Sequence, residues 1–155
     1  MVLNFAGQFY FLSNFSPSVI RYDRREWDSA EHVFQAMKTR NKEQQEEVRL
    51  AHTPGEAKRV GRRVVLRRDW EEVKDKIMAD ILFEKFRQNP ELLERLLSTN
   101  DDALVEGNNW CDNYWGRCFC GKCYLRRAEE PNLGRNRLGE LLMDTRDIFR
   151  KPPWA

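Results

Sequence analysis

The chain has 155 residues, of which 34% are charged and 41% hydrophobic, with a formal net charge of +2. This length suits a single domain, residues 1–155, with a real core, and the near balance of charge excludes a protein that holds polyanions by bulk charge alone. No apolar run approaches the ~20 residues of a membrane span and the first residues lack the pattern of a signal peptide, so a cytoplasmic protein with reduced thiols and no membrane partner is expected.

Read in chain order, residues 2–5, 9–12 and 19–22 pattern as short strands, with Ser13-Asn14-Phe15-Ser16-Pro17 as a turn. The segment from Ser29 to Lys38 reads as an amphipathic helix. Ala30, Val33, Phe34 and Met37 share one face, and Glu31, Gln35 and Lys38 form a row on another at i, i+4 and i+7. A carboxylate, an amide and an amine in one row suit a polar ligand. The same Glu31 could instead complete a capping box with Asp28. His32 lies off that row and reads as structural. A charged helix follows over 42–51. Thr53-Pro54-Gly55-Glu56 is a helix start with its cap, N1 proline and N3 acid in place. Residues 56–68 then hold Lys58, Arg59, Arg62, Arg63, Arg67 and Arg68 against Glu56 alone, either a phosphate-binding stretch or a solvated flank.

Asp69-Trp70-Glu71-Glu72 is a second capping box, opening a long helix with Trp70, Val73, Ile77, Ile81 and Phe86 as its apolar stripe. Asn89-Pro90 restarts a helix to about residue 97, residues 103–105 read as a strand, and 136–149 form the last helix, with Leu138, Leu141, Leu142 and Thr145 inward. The sum is an α+β domain, mostly helical, with a few short N-terminal strands.

Two constellations fall in the loop region. Glu106-Gly107-Asn108-Asn109-Trp110 and Asp112-Asn113-Tyr114-Trp115-Gly116 set aromatic rings beside acids in a segment of turn composition. Asp112 could be a turn residue and Trp70 a core anchor, but Trp110 and Trp115 in a loop point to a ring-binding cleft. Cys111, Cys118, Cys120 and Cys123 include one Cys-x-x-Cys knuckle. They fit a structural zinc, free thiols, or a redox pair that lacks its usual βαβ setting.

Seven motifs in order resemble the NADAR family, which includes the YbiA-like N-glycosidases: Phe11-Leu12-Ser13-Asn14-Phe15, Ser29 to Ala36, Ala57-Lys58-Arg59-Val60-Gly61-Arg62, Leu66-Arg67-Arg68-Asp69-Trp70, Leu104-Val105-Glu106-Gly107-Asn108, Asp112 to Gly116, and Gly134 to Met143. The resemblance covers nearly the whole chain. Between Gly116 and Asn136 the chain departs from it, because a longer cysteine-bearing segment stands where many relatives have a short glycine-rich loop.

The resemblance implies hydrolysis of a ribose–nitrogen bond with no cofactor needed for catalysis. The substrate is an ADP-ribosylated nucleobase, notably guanine in DNA or RNA, or a nucleotide-like phosphoribosylamino-pyrimidine intermediate of riboflavin biosynthesis. Glu31, Trp70, Asp112 and Trp115 match the family's proposed active-site residues. On that reading Glu31 holds the ribose and stabilises the oxocarbenium-like charge. Asp112 orients or deprotonates water, and Glu106 could take either part. Trp70 and Trp115 line the ring pocket, and Gln35 and Asn108 hydrogen-bond sugar or base. Arg62 takes phosphate, with Lys38 a second phosphate contact or an amine that traps an opened sugar. Asn136, in the last motif, joins the substrate-binding set. A non-catalytic module binding nucleic acid or ADP-ribose is the rival expectation.

Overall fold

The computed structural model describes residues 1–153; Trp154, one of the five tryptophans, lies outside the described residues. The chain forms two compact units, residues 14–93 and residues 1–13 with 94 onward.

The 14–93 unit opens with a hairpin, β1 (Ile20–Tyr22) antiparallel to β2 (Arg25–Trp27), with Ile20 opposite Trp27. Asp23 and Arg24 carry φ of 49° and 63°, the left-handed pair of a two-residue hairpin loop. β1 falls within the strand expected over 19–22, whereas β2 has no sequence signal, because three residues with charges at two of them carry no alternation.

Four helices follow: α1 (Ala30–Ala36), α2 (Lys42–Arg49), α3 (Pro54–Gly61) and α4 (Trp70–Gln88). α1 packs against α2, α3, α4 and β2. All seven of its residues are buried, polar ones included. Its cap is Ser29, whose Oγ accepts from His32 N at 3.2 Å. The Asp28 capping box is therefore corrected: Glu31 sits at N2, out of reach of the box, and its side chain turns into the protein. His32 is structural as expected, pinned between Ser29 Oγ (2.7 Å) and the Ala51 carbonyl (2.9 Å).

Thr53 caps α3 by accepting from Glu56 N, as its sequence dictates. At α4, Asp69 holds the cap position but makes no capping bond. Its carboxylate instead accepts from Arg67 at 2.6 Å and Arg40 at 3.3 Å, and the Arg67 hydrogen bond holds its pKa down at about 2. The buried stripe of α4 is Trp70, Met78, Ile81, Leu82, Lys85 and Phe86, with Val73 and Ile77 only half-buried. Lys85 is buried along its whole length and donates to Ser16 Oγ. α5 (Pro90–Leu97) restarts after Asn89-Pro90 as expected.

In the other unit, residues 2–5 and 103–105 are not full strands but share a single parallel bridge, Val2 to Leu104. Residues 9–12 belong to a 3₁₀ helix, Gly7–Leu12, rather than a strand. The buried pair there, Phe11 and Leu12, is adjacent, which alternation would forbid. Arg95 stacks 4.2 Å over Phe11 and donates to the Gln8 carbonyl. β3 (Gly107–Asn108) lies parallel to β4 (Arg117–Cys118), followed by α6 (Gly121–Arg126) and α7 (Arg137–Arg150). α7 buries Leu138, Leu141, Leu142 and Thr145, the face read from its spacing. Its buried Arg146 ties it to Thr99 Oγ1 and the Asp102 carbonyl, each at 2.8 Å.

Candidate active site

Of the expected row, Glu31 and Gln35 share α1, whereas Lys38 lies past the end of the helix, which stops at Ala36. Because α1 is enclosed on several sides, a side chain one turn from another on its polar face is still inside the protein. Glu31 is 7% exposed and Gln35 3%. Gln35 Nε2 donates to Glu31 Oε1 at 2.6 Å, and the Glu31 backbone N donates to the Asn14 carbonyl. Burial raises the Glu31 pKa above its ordinary value; the Gln35 hydrogen bond and then the charges of Lys58 and Lys38 oppose the rise. Burial likewise lowers the Lys38 pKa, with Glu31 opposing and Lys58 and Arg62 adding to the fall. A carboxyl, two amines and a guanidinium therefore sense one another. Among the described residues, Lys38, Lys58 and Arg62 form no ion pair.

Aromatic rings frame this group. Phe34 and Trp70 lie 5.2 Å apart at 52°. The Lys38 ammonium stands 5.8 Å from the Phe34 ring, and that of Lys58 5.9 Å from Phe15. Close packing closes the back of the group: a Cβ on Gly61 would lie 2.1 Å from Gln35 Oε1 and 2.9 Å from its Cβ. Gln35 Oε1 is buried and accepts nothing among the described residues. The basic stretch divides: Lys58 and Arg62 face this group electrostatically, Arg67 is consumed by Asp69, and Arg63 makes a long surface pair with Glu47.

The other unit gathers the remaining candidates around the turn between β3 and β4. Asn108 is buried. Its Oδ1 accepts from the backbone N of Trp110 and Asp112, and its Nδ2 donates to the Asp112 carbonyl at 2.7 Å. Asp112 Oδ1 accepts from Tyr114 N (3.1 Å) and Trp115 N (3.0 Å), the turn role its composition suggested, and among the described residues Oδ2 accepts from no donor. Trp115 is half-buried, edge-on to Tyr114 at 4.9 Å, whereas Trp110 is 61% exposed. Asn136, at φ 57°, donates to the Leu104 carbonyl and accepts from Glu106 N, so its amide splices α7 to the segment carrying Glu106. Gly116 allows the approach of Glu106, whose carbonyl oxygen lies 2.3 Å from where a Cβ would stand.

The four cysteine sulfurs lie within 4.8 Å of one another, an arrangement that could hold a metal such as zinc. Cys111 Sγ is 3.8 Å from Cys120 Sγ. Hydrogen bonding with Cys123 and Cys120 pushes the Cys111 thiol up to about 12.

Gly61, Phe15 and Phe34 join the site without having been singled out by sequence, and Lys58 stands out from the basic stretch around it. Lys58 and Gly61 stand in the Ala57–Arg62 motif and Phe15 in the Phe11–Phe15 motif, so the motifs held the signal, but only packing shows that α3 brings Lys58 and Gly61 to Glu31 and Gln35.

A buried carboxyl bonded to an amide, three cations that form no ion pair among the described residues, and a ring pair stand together around α1. The chain matches the NADAR domain over residues 4–150. It is 39% identical to N-glycosidase YbiA of Escherichia coli (strain K12) over 137 residues, 87% of this chain and 78% of that protein. It is 37% identical to N-glycosidase Npun_R5314 of Nostoc punctiforme, over 89% of this chain and 84% of that one. The NMR structure of E. coli YbiA superposes with a TM-score of 0.80 at 36% identity, covering 97% of this chain and 85% of that one. A riboflavin biosynthesis protein of Vibrio vulnificus, VVA0006, is 35% identical over 91% of this chain and 36% of its own length. The chain belongs to the NADAR family, as a homologue of the YbiA N-glycosidases, and has their mostly helical fold.

Proposed function

We propose that this protein is an N-glycosidase that releases ADP-ribose from a modified guanine base in nucleic acid. The observation that carries this reading is the buried Glu31 carboxyl beside Gln35, with the charges of Lys38, Lys58 and Arg62 near it and, among the described residues, in no ion pair. As the C1′–N bond breaks, its electron pair leaves with the base and positive charge develops on the ribose. A carboxylate held in a dry site by a preset hydrogen bond stabilises that charge far more than one in water. Gln35 holds the carboxylate through its Nε2 bond, with its Oε1 lying against Gly61. The cations bind the diphosphate, and the buried Trp70 and Phe34 rings keep water from the carboxyl. Water then adds to C1′. The proton that the water loses balances the one that the departing base takes up. The step needs no cofactor.

A second reading is favoured by the riboflavin biosynthesis relative: a phosphoribosylamino-pyrimidine offers the same ribose–nitrogen bond and a phosphate. The test is incubation with a guanine-ADP-ribosylated oligonucleotide and mass spectrometry of the products, with Glu31→Gln as control. Release of ADP-ribose by the wild type alone supports the first reading. Release only from phosphoribosylamino-pyrimidines moves the assignment to the second. Binding of both substrates with no turnover of either overturns the glycosidase reading in favour of a binding module.

A further inference from the structure

Helix α6 has no apolar core to hold it. Its one buried residue is Cys123, while Tyr124 and Leu125 are 68% and 75% exposed and the preceding Phe119 is 49% exposed. Where a segment lacks a core, a structural metal is a common substitute. Four thiolates bound to zinc at ~2.3 Å in a tetrahedron stand about 3.8 Å from one another. Cys111 and Cys120 sulfurs are 3.8 Å apart, and all four lie within 4.8 Å. A disulfide would need a contact near 2.05 Å and would use two of the four.

The surroundings of the sulfurs point the same way. Cys118 Sγ accepts from Cys111 N (3.3 Å) and Cys120 N (3.4 Å), and Cys123 Sγ accepts from Asn113 Nδ2 (3.2 Å). Donors aimed at sulfur stabilise thiolate and orient metal ligands. The backbone at Cys111 is left-handed, φ 67°, a conformation that an L-residue adopts at some cost and that here turns its sulfur toward Cys120. Residues 117–127 carry no acid, and Arg117, Lys122 and Arg127 offset the two negative charges of a zinc tetrathiolate, while Arg126 is taken by Glu130.

We infer that Cys111, Cys118, Cys120 and Cys123 hold one zinc ion as thiolates, and that the ion clamps both ends of the loop bearing Asp112 and Trp115. Binding releases the thiol protons to water. Cys111 precedes Asp112 directly and Cys118 follows the loop, so the ion fixes the frame in which Asp112 Oδ1 takes the Tyr114 and Trp115 amides. The ion itself makes no step of the reaction. It is a positioning device, and its presence does not depend on the glycosidase reading.

The experiment uses the untagged, reduced full chain. Elemental analysis is expected to give one zinc per chain, retained on gel filtration and lost in a Cys120→Ser, Cys123→Ser variant. Cobalt exchanged into the wild type should show the d–d and charge-transfer bands of a tetrahedral thiolate site. Removing zinc from the wild type by a chelator should speed amide exchange at Tyr114 and Trp115 by about tenfold or more, the mark of local opening, while amides in α1 keep their rates. Four freely titrating thiols with no zinc before or after reconstitution, or a mass two hydrogens short that signals a disulfide, would overturn the metal site. Stoichiometric zinc with unchanged exchange at Tyr114 and Trp115 would overturn the clamp.

Discussion

Gly61→Ala is the sharpest test of how the candidate site is built. The new Cβ would stand 2.1 Å from Gln35 Oε1, 2.9 Å from Gln35 Cδ and 2.9 Å from Gln35 Cβ. Gln35 is buried, and the clash reaches its Cβ as well as its tip, so a rotamer change alone does not relieve it. Overpacking of this kind costs ~1–3 kcal/mol, offset by up to about 1 kcal/mol for replacing a helical glycine with alanine. Displacing Gln35 also breaks its 2.6 Å bond to Glu31. A hydrogen bond to a charged group is worth ~1.5–3 kcal/mol. If that bond presets the carboxylate for the transition state, kcat/KM should fall roughly 10- to 150-fold at 1.36 kcal/mol per decade. The internal control is Gly55→Ala in the same helix, where the nearest atom is Thr53 Oγ1 at 3.9 Å. That change should stabilise by ~0.4–1 kcal/mol and leave activity alone. The assays are urea denaturation and steady-state hydrolysis of the ADP-ribosylated oligonucleotide. If Gly61→Ala keeps wild-type kcat/KM and gains stability as Gly55→Ala does, Gln35 is not the element that presets Glu31.

Three further outcomes follow from the same geometry. Glu31→Gln should lower kcat by about 10²-fold or more, the scale of losing one preorganised electrostatic group, while far-UV circular dichroism and ligand binding stay near wild type; wild-type turnover would exclude Glu31 from the chemistry. Because burial raises the Glu31 pKa, the acid limb of kcat/KM should lie above the ordinary 4.5. Lys58→Met should push that limb to still higher pH, since the Lys58 charge opposes the rise, and a limb that stays put or moves down removes Lys58 from the site. Asn136→Ala should destabilise by about 2–4 kcal/mol in a denaturant melt, since it orphans the Leu104 carbonyl and Glu106 N and leaves alanine at φ 57°; a melt within 0.5 kcal/mol of wild type, on the order of a neutral surface change, would show that the splice is dispensable.

The helices were legible because their signals are local. Thr53-Pro54-Gly55-Glu56 needs only its own turn to act as a cap, and Leu138, Leu141, Leu142 and Thr145 declare a face by spacing alone. The strands were not, because pairs of two and three residues such as Gly107–Asn108 and Arg25–Trp27 are too short for period-2 alternation, and their pairing is set by partners elsewhere in the chain. The 3₁₀ helix Gly7–Leu12 was misread because an apolar run does not by itself distinguish strand from helix. The Asp28 cap failed by one residue: Ser29 competes for the same role, and the Asp28 carbonyl accepts from Ser18 instead. Within the site, the bond from Gln35 to Glu31 was implicit in an i, i+4 row on one helix. Lys58 and Gly61 come from a different helix, and no pattern within either segment specifies that approach.

Glu31 is also a poor stability device, which counts against a purely structural role. A carboxyl whose folded-state pKa is raised binds a proton more tightly when folded than when unfolded. Between its unfolded and folded pKa values the native state therefore holds more protons, and unfolding free energy falls as pH rises. The contribution is fully present below the ordinary value of 4.5 and is lost as pH rises through the raised one, so at neutral pH Glu31 works against the fold. Lys38, whose pKa burial lowers, loses its contribution as pH falls through its depressed value, so it too is a liability at neutral pH. A helix cap or a surface ion pair would do the opposite. Two ionisable groups that each weaken the native state, one bonded to a buried amide and both within the field of Lys58, fit the proposed site for a charged ligand and a cationic transition state. In the pH dependence of denaturation, Glu31→Gln should therefore remove a downward slope between pH 4.5 and neutrality rather than an upward one. An upward slope lost on substitution would mean that the carboxylate is held by a partner for stability, and the catalytic reading of Glu31 would lose its physical basis.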